Sequence, residues 1–149
     1  TEDGIPQRRI VTGWVLLSEN NEFNGSLLAI PQSHKQFVSC VGETPKDNFK
    51  TSLRKQEVGV PSQETIAKMV QQFGLAGLYG PPGTVVFHEC NLMHGSADNI
   101  SPFPRTNVFF VYNSVLNQPN NIKKTRPEFL ARPYVNNTDR TYEKPKVEA

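Results

Sequence analysis

The chain has 149 residues, the length of a single domain. Its net charge is +2 and its basic residues are scattered, so neither nucleic acid nor a membrane surface is predicted as a partner. The two cysteines, Cys40 and Cys90, form no CxxC pair, and no apolar run approaches the roughly 20 residues that cross a bilayer. These features, with no visible signal peptide, predict a cytoplasmic protein with partly buried free thiols.

The first third of the chain predicts two strands and a long loop. Residues 8–18 are apolar and β-branched, and residues 26–30 form a second apolar run before Pro31. Because a polar, Asn-rich turn over residues 19–25 joins them, the two strands are predicted to form an antiparallel pair. Residues 32–60 are polar and interrupted by Gly and Pro, which indicates an excursion over the surface.

A single amphipathic helix is predicted in the middle of the chain. Ser62 is a favourable N-cap directly after Pro61, and Gly74 supplies the stop. Four apolar residues recur at helical spacing between them: Ile66, Met69, Val70 and Phe73. The stripe that they form is predicted to pack on the core rather than to line a ligand groove.

Two further strands follow the helix. A tight Pro-Pro-Gly turn leads into an apolar strand over residues 84–87, and the most regular strand pattern covers residues 105–113. Side chains alternate across a strand, so Arg105, Asn107 and Phe109 share one face. Arginine and asparagine beside phenylalanine are typical of the lining of a polar cavity. With frequent Gly and Pro turns and one helix, these strands predict an all-β sandwich or barrel with a helical insertion.

The segment from His94 to Phe109 holds the most distinctive pair of residues. His94 lies at the mouth of a predicted turn, and Arg105 follows after a short polar loop, at the start of the last strand. An imidazole suits Fe(II), and a guanidinium binds a carboxylate with two parallel hydrogen bonds. An enzyme that uses Fe(II) and a keto acid needs both groups in one cavity.

Several segments of the chain resemble one enzyme family. The segments are residues 22–25, 30–35, 37–45, 55–61, 91–96 and 99–113. They closely resemble the ectoine hydroxylases, which belong to the phytanoyl-CoA dioxygenase-like superfamily of Fe(II)/2-oxoglutarate dioxygenases. The resemblance implies a double-stranded β-helix, or jelly roll, that is incomplete at its N-terminal side. It makes residues 1–117 the C-terminal part of a single dioxygenase domain and residues 118–149 a polar C-terminal tail.

The resemblance also implies a role for each residue of the candidate site. His94 matches the distal iron ligand, and Arg105 matches the arginine that pairs with the far carboxylate of 2-oxoglutarate. Ser96 matches a serine near that co-substrate, and Asn107 and Phe109 match positions that face the ectoine ring. No catalytic residue beyond the metal site is implied. The implied reaction consumes O₂ and 2-oxoglutarate at Fe(II) and converts ectoine to 5-hydroxyectoine, an osmoprotectant, and a homodimer is compatible with it.

Two departures from the family pattern affect what this chain is expected to do. The family's other two iron ligands come from a His-x-Asp motif upstream of a Glu-Asp-Gly-x-Pro segment, which here is residues 2–6. Because the sequence holds no His-x-Asp or His-x-Glu triplet, the chain as given is expected to bind iron weakly, to be inactive and to associate. Trp14 stands where the family has a smaller residue, and a ring that faced the cavity would alter the fit of the substrate.

Other interpretations remain open. The chain could belong to a superfamily member with a different small substrate, or it could be a non-catalytic jelly roll that binds a small zwitterion or sugar without a metal. A replacement metal site would use these residues: His88, Glu89, His94 and Asp98. It is disfavoured, because His88 and Glu89 are neighbours on a strand and point to opposite faces. His34 follows a strand and is interpreted as structural.

Overall fold

The structure is a computed structural model of the chain and describes residues 5–43, 56–114 and 116–117. It divides into two compact units, one of residues 8–114 and one that joins the two ends of the chain. In the second unit, the Gln7 amide donates to the buried Asn117 Oδ1 at 3.0 Å, and Asn117 Nδ2 donates to the Gln7 carbonyl at 2.9 Å. The predicted tail, residues 118–149, lies outside the described residues.

Residues 8–114 form eight strands and one α-helix within the described ranges. The strands are β1 (Ile10–Leu16), β2 (Leu27–Ala29), β3 (Cys40–Val41), β4 (Val60–Pro61), β5 (Ala76–Gly77), β6 (Val85–Glu89), β7 (His94–Ser96) and β8 (Asn107–Asn113). The helix is α1 (Gln63–Phe73), and a 3-10 turn covers Ser33–Lys35. The predicted all-β class with a helical insertion is therefore confirmed.

Six of these strands fall into two antiparallel sheets. The first sheet has the order β6-β1-β8 and the second has the order β5-β2-β7, while β3 and β4 form a separate pair. From β5 onward, consecutive strands alternate between the two sheets, as they do in a jelly roll. The predicted pairing of residues 8–18 with residues 26–30 is wrong, because β1 bonds through both edges to β6 and β8 and β2 lies in the other sheet.

The turn between β1 and β2 carries the chain from one sheet to the other. The amides of Asn20 and Gly80 each donate to the other residue's carbonyl at 2.9 Å, which fixes the start of this crossing. Gly25 near its end has a φ of 75°, and a Cβ there would come within 2.8 Å of the Ala97 carbonyl oxygen. The crossing therefore depends on a residue without a side chain at position 25.

One face of the first sheet is directed toward the core. On β1, Thr12 and Leu16 are buried and Trp14 is half-buried. The register places His88 of β6 opposite Thr12 and Phe109 of β8 opposite Trp14. Directly opposed residues in an antiparallel sheet project to the same side, so all five side chains belong to this inner face.

The helix begins and ends where the sequence predicts. Ser62 is the N-cap, and its Oγ accepts from the Thr65 amide at 3.2 Å. Gly74 ends the helix with a φ of 78° and donates its amide to the Val70 carbonyl at 2.8 Å. Of the apolar stripe, Met69 is buried, while Ile66, Val70 and Phe73 are half-buried.

Strand boundaries near the predicted site differ from the sequence prediction. Strand β6 continues past residue 87, so His88 and Glu89 are strand residues. His94 lies on β7, where it pairs with Ala29, rather than at the mouth of a turn. Strand β8 begins at residue 107, so Arg105 precedes the strand instead of opening it.

The two free thiols differ in exposure. Cys90 is half-buried, as predicted, and its Sγ lies 3.1 Å from Thr12 Oγ1. Cys40 is exposed, so the prediction of partial burial is wrong there: it lies on the two-residue strand β3, both of whose residues are exposed. No helix in the described part of the chain has the length and apolar character needed to cross a bilayer.

Candidate functional site

His94 presents one imidazole nitrogen for a ligand. Its Nδ1 lies 2.8 Å from the carbonyl oxygen of Leu92. Because a carbonyl can only accept, Nδ1 carries the proton and donates, which leaves Nε2 with a free lone pair. A histidine that ligates a metal through one nitrogen is commonly oriented in this way by a hydrogen bond from the other nitrogen. Both the tautomer and the exposed position of His94 therefore suit a metal ligand.

Arg105 reaches across to the strand that carries His94. Its Nη2 donates to Ser96 Oγ at 3.2 Å, and Ser96 is two residues after His94 on β7, on the same face of the strand. Its Nη1 is buried and has no partner among the described residues. Burial lowers the pKa of the Arg105 guanidinium, which nevertheless keeps its charge at neutral pH. A charged guanidinium that keeps one buried N–H donor unpaired is suited to bind a carboxylate through two hydrogen bonds.

Four aromatic rings connect the two sheets, and we call them the aromatic row: Phe109, Trp14, His88 and His94. Trp14 stacks on Phe109 with ring centroids 5.5 Å apart and an interplanar angle of 26°. The Trp14 and His88 centroids are 6.4 Å apart, and those of His88 and His94 are 5.1 Å apart. The row thus runs from β8 through β1 and β6 to β7, and it brings the predicted substrate residue Phe109 into one assembly with the predicted metal ligand His94.

Buried polar atoms without a partner concentrate at this site. Within the described part of the chain there are six such atoms, and four belong to the row or its neighbours: Trp14 Nε1, His88 Nε2, Arg105 Nη1 and Asn107 Oδ1. Each unpartnered buried group costs about 1–3 kcal/mol. These four atoms are two donors, one acceptor and one imidazole nitrogen. A small ligand that carries both a carboxylate and N–H groups would satisfy them.

The described residues supply part of a metal centre. They contain no group of three or more His, Cys, Asp or Glu side chains that could hold an ion. The replacement site with His88 and Glu89 is also not formed: His88 is buried on the inner face, while the Glu89 carboxylate accepts from the Asn91 amide at 2.9 Å and from Asn91 Nδ2 at 2.7 Å. What fits an iron and keto-acid site is the imidazole of His94 and the clamp of Arg105 with Ser96.

His88 is a neighbour of the site that the sequence prediction named only in the disfavoured replacement metal site. The predicted apolar run stops at Phe87, one residue before it. Had the alternation been followed further along β6, Val86 and His88 would have fallen on one face, opposite Trp14 and Thr12 of β1. The available signal was therefore the strand period itself.

A surface depression separate from these residues was also found. It has a volume of about 460 Å³ and is lined by Glu19, Asn20, Asn21, Glu22, Phe23, Tyr79, Gly80 and Pro81. None of the predicted site residues lines it. The arginine clamp and the aromatic row, which join both sheets, are therefore the better candidate for function.

The fold and the grouping of His94, Ser96 and Arg105 are those expected of a jelly-roll oxygenase, and comparison with known families agrees. The profile of the phytanoyl-CoA dioxygenase family (PhyH) matches residues 2–107. The chain belongs to this family.

Two curated relatives are ectoine dioxygenases. The protein of Sphingopyxis alaskensis is 51% identical over 134 residues, which cover 88% of this chain and 44% of the relative. The protein of Bordetella parapertussis is 52% identical over 133 residues, which cover 87% of this chain and 43% of the relative. The chain thus spans less than half the length of these relatives.

Two similar crystal structures are of EctD from S. alaskensis. The one with 2-oxoglutarate and 5-hydroxyectoine has a TM-score of 0.69 and 42% identity, and the match covers 87% of this chain and 41% of that chain. The one with bound Fe has a TM-score of 0.69 and 38% identity, with 90% of this chain and 42% of that chain covered. The likeness confirms the predicted jelly-roll fold.

Proposed function

We propose that this chain is the C-terminal part of an Fe(II)- and 2-oxoglutarate-dependent dioxygenase. The complete enzyme would hydroxylate ectoine to 5-hydroxyectoine. The observation that carries the proposal is the guanidinium of Arg105, which bonds to Ser96 Oγ at 3.2 Å and keeps a buried Nη1 donor unused. The relatives named ectoine dioxygenase and the S. alaskensis structure with 2-oxoglutarate and 5-hydroxyectoine support the choice of substrates.

Arg105 would hold the far carboxylate of 2-oxoglutarate. Nη1 and Nη2 can donate to its two oxygens in parallel, and Ser96 Oγ is free to turn its own proton toward the same group. His94 would offer Nε2 to the iron from the same face of β7. When bound, Fe(II) and 2-oxoglutarate would activate O₂: 2-oxoglutarate would lose CO₂ and become succinate, with one oxygen atom of O₂ entering succinate and the other entering the hydroxyl group of the product. This chain positions those partners.

Asn107, Phe109 and Trp14 would form the wall that receives ectoine. Phe109 and Trp14 stack and present flat apolar surface, while Asn107 Oδ1 and Trp14 Nε1 are a buried acceptor and a buried donor without partners in the described part of the chain. A small zwitterionic ring has one apolar side and polar groups of both kinds, so it would satisfy these atoms. Trp14 stacks on Phe109 and would therefore help to set the fit of the substrate.

Several further properties belong to this proposal. We propose that O₂ is the oxidant, that the product is an osmoprotectant, and that the protein is cytoplasmic and forms a homodimer. Residues 1–117 are proposed to be the C-terminal part of one dioxygenase domain, followed by a polar tail over residues 118–149. Because the sequence holds no His-x-Asp motif to supply the other two iron ligands, we expect the chain to bind iron weakly and to be inactive by itself.

The test is a coupled assay of a full-length version, in which the upstream residues of the S. alaskensis relative precede this chain. We expect succinate to form in step with added ectoine, and not with added proline. The chain alone should form no succinate with either compound. Equal succinate formation with proline would contradict the proposed substrate, and failure of the Arg105→Ala variant to lower turnover would contradict the proposed clamp.

A second candidate function is a non-catalytic jelly roll that binds a small zwitterion or sugar without a metal. The observation that favours it is the lack of a three-ligand metal group in the described ranges. It requires that ectoine or a sugar bind this chain equally well with and without a divalent ion. Ligand titrations in the presence and absence of a chelator distinguish the two functions.

A further inference from the structure

His88 is an unexpected histidine at the centre of the aromatic row. It lies on β6, with its side chain on the inner face of the first sheet and 8% of its surface exposed. Its ring centroid is 5.1 Å from that of His94 on β7, at an interplanar angle of 53°. Two imidazoles from two different sheets therefore meet at the edge of the candidate site.

Both imidazoles are held in the same tautomer. The Nδ1 of His88 lies 3.1 Å from the Glu89 carbonyl oxygen, and the Nδ1 of His94 lies 2.8 Å from the Leu92 carbonyl oxygen. Since carbonyl oxygens can only accept, each Nδ1 carries the proton and each Nε2 keeps its lone pair. This is the state in which a histidine binds a metal ion through Nε2.

The separation of the two rings suits a shared ion. When two imidazoles bind one ion through Nε2, with metal–nitrogen bonds of about 2.1 Å and a near-tetrahedral angle, their centroids are about 5 Å apart. The observed 5.1 Å matches this spacing. The two rings are tilted by 53° and therefore do not stack face to face.

The burial of His88 provides an independent reason to expect a ligand. Its Nε2 is fully buried and has no hydrogen-bond partner in the described part of the chain. A histidine that served the core alone would be expected to have this nitrogen satisfied, since an unpaired buried polar atom is costly. A bound cation would satisfy the lone pair.

We propose that His88 and His94 together bind a divalent transition-metal ion through their Nε2 atoms. This inference rests on the role of His94 in the proposed function and adds His88, a residue of this chain that no comparison assigns to the site. Borderline ions such as Zn²⁺, Co²⁺ and Fe²⁺ prefer imidazole nitrogen. Since no third His, Cys, Asp or Glu of the described residues completes the group, water or ligand oxygens would fill the remaining positions.

The test is a titration of the 149-residue chain with Zn²⁺. Calorimetry measures the affinity, and nitrogen-15 NMR spectra report on each of the three imidazoles. We expect one equivalent of Zn²⁺ to shift the Nε2 resonances of His88 and His94 together. The His88→Phe variant keeps a ring against Trp14 and should weaken Zn²⁺ binding at least about tenfold, the lower end of what losing a supporting partner of a metal site costs. The matched control, His34→Phe, should bind Zn²⁺ as the unchanged chain does.

The outcomes separate this inference from the proposed function. The pair is refuted if Zn²⁺ shifts the Nε2 resonance of His94 alone and the His88→Phe variant binds Zn²⁺ as tightly as the unchanged chain. His94 would then still be a metal ligand. If the unchanged chain shows no shift of His94 at any Zn²⁺ concentration, both the pair and the metal role of His94 fail. Because the spectra of the unchanged chain report His88 directly, a poorly folded variant would not leave the question undecided.

Discussion

At the scale of single residues, Arg105 provides the sharpest test of the site. Lysine keeps the positive charge but lacks the planar fork that can serve Ser96 and a carboxylate at once. In the full-length version, we expect Arg105→Lys to lose about 1.5–3 kcal/mol of 2-oxoglutarate binding, the value of a hydrogen bond to a charged group. Calorimetric titration with 2-oxoglutarate measures the loss, and Arg8→Lys on the exposed surface is the control. Unchanged affinity in Arg105→Lys would remove the arginine from the binding site.

Two variants of Trp14 distinguish the contribution of packing from that of hydrogen bonding at the same site. Its ring stacks on Phe109, and its buried Nε1 has no partner among the described residues. Trp14→Phe keeps a ring and removes an unsatisfied donor, so the free energy of unfolding should change by less than about 1 kcal/mol. Trp14→Ala loses the stacked surface and should cost about 3 kcal/mol, the lower end for a large aromatic side chain, because Trp14 is only half-buried. Urea denaturation of both variants gives the comparison, and equal losses would mean that the stack contributes nothing.

At the scale of elements, the crossing between the sheets depends on Gly25. Both Gly25 and Gly74 have positive φ values, of 75° and 78°. An alanine Cβ at position 74 meets nothing within 4 Å, so Gly74→Ala should cost only backbone strain, on the order of 1–3 kcal/mol. Gly25→Ala adds a clash at 2.8 Å with the Ala97 carbonyl and should be clearly more destabilising. Thermal unfolding of the two variants under matched conditions tests this order, and a smaller loss for Gly25→Ala would reverse it.

The elements also show which parts of the fold the sequence could predict. The helix and the strands β1, β2, β6 and β8 were predictable, because an apolar run bounded by a turn, or a helical period with its caps, marks each of them in the sequence. Strands β3, β4, β5 and β7 have two or three residues each, too few to show alternation, and they exist through pairing with distant strands. The wrong pairing of the first two strands has the same origin, since nothing local to residues 8–30 specifies β6 and β8 as the partners of β1.

The candidate site was predictable to the extent that it follows a strand period. Alternation placed Asn107 and Phe109 on one face, and they do lie on the inner face with Trp14. The bond between Arg105 and Ser96 joins the segment before β8 to β7 of the other sheet, and no local pattern in the sequence encodes how two sheets pack. The contacts of His88 with Trp14 and His94 were not predicted, because the apolar run that signals β6 ends one residue before His88 and the pairing of β6 with β1 is not local.

At the scale of the whole molecule, the described residues bury few large apolar side chains and expose many. The buried apolar side chains of the described part are Leu16, Leu27, Ala29, Ile30 and Met69. The face of the first sheet opposite the inner face is apolar and exposed, and we call it the outer face: Val11, Val85, Phe87, Val108, Phe110 and Tyr112. Contiguous apolar surface of this kind is uncommon on soluble monomers and favours association.

We therefore expect the 149-residue chain to associate in a concentration-dependent way through the outer face. The double variant Phe87→Thr/Phe110→Thr keeps β-forming residues and removes two exposed rings from this face, so it should shift the chain toward monomer. Phe37→Thr is the matched control, since its ring is 83% exposed but belongs to no strand. Sedimentation velocity across a range of concentrations measures the distribution. A monomer at every concentration would show that exposed apolar area on this sheet is tolerated, and an equal effect of Phe37→Thr would show that association depends on total apolar exposure and not on the outer face.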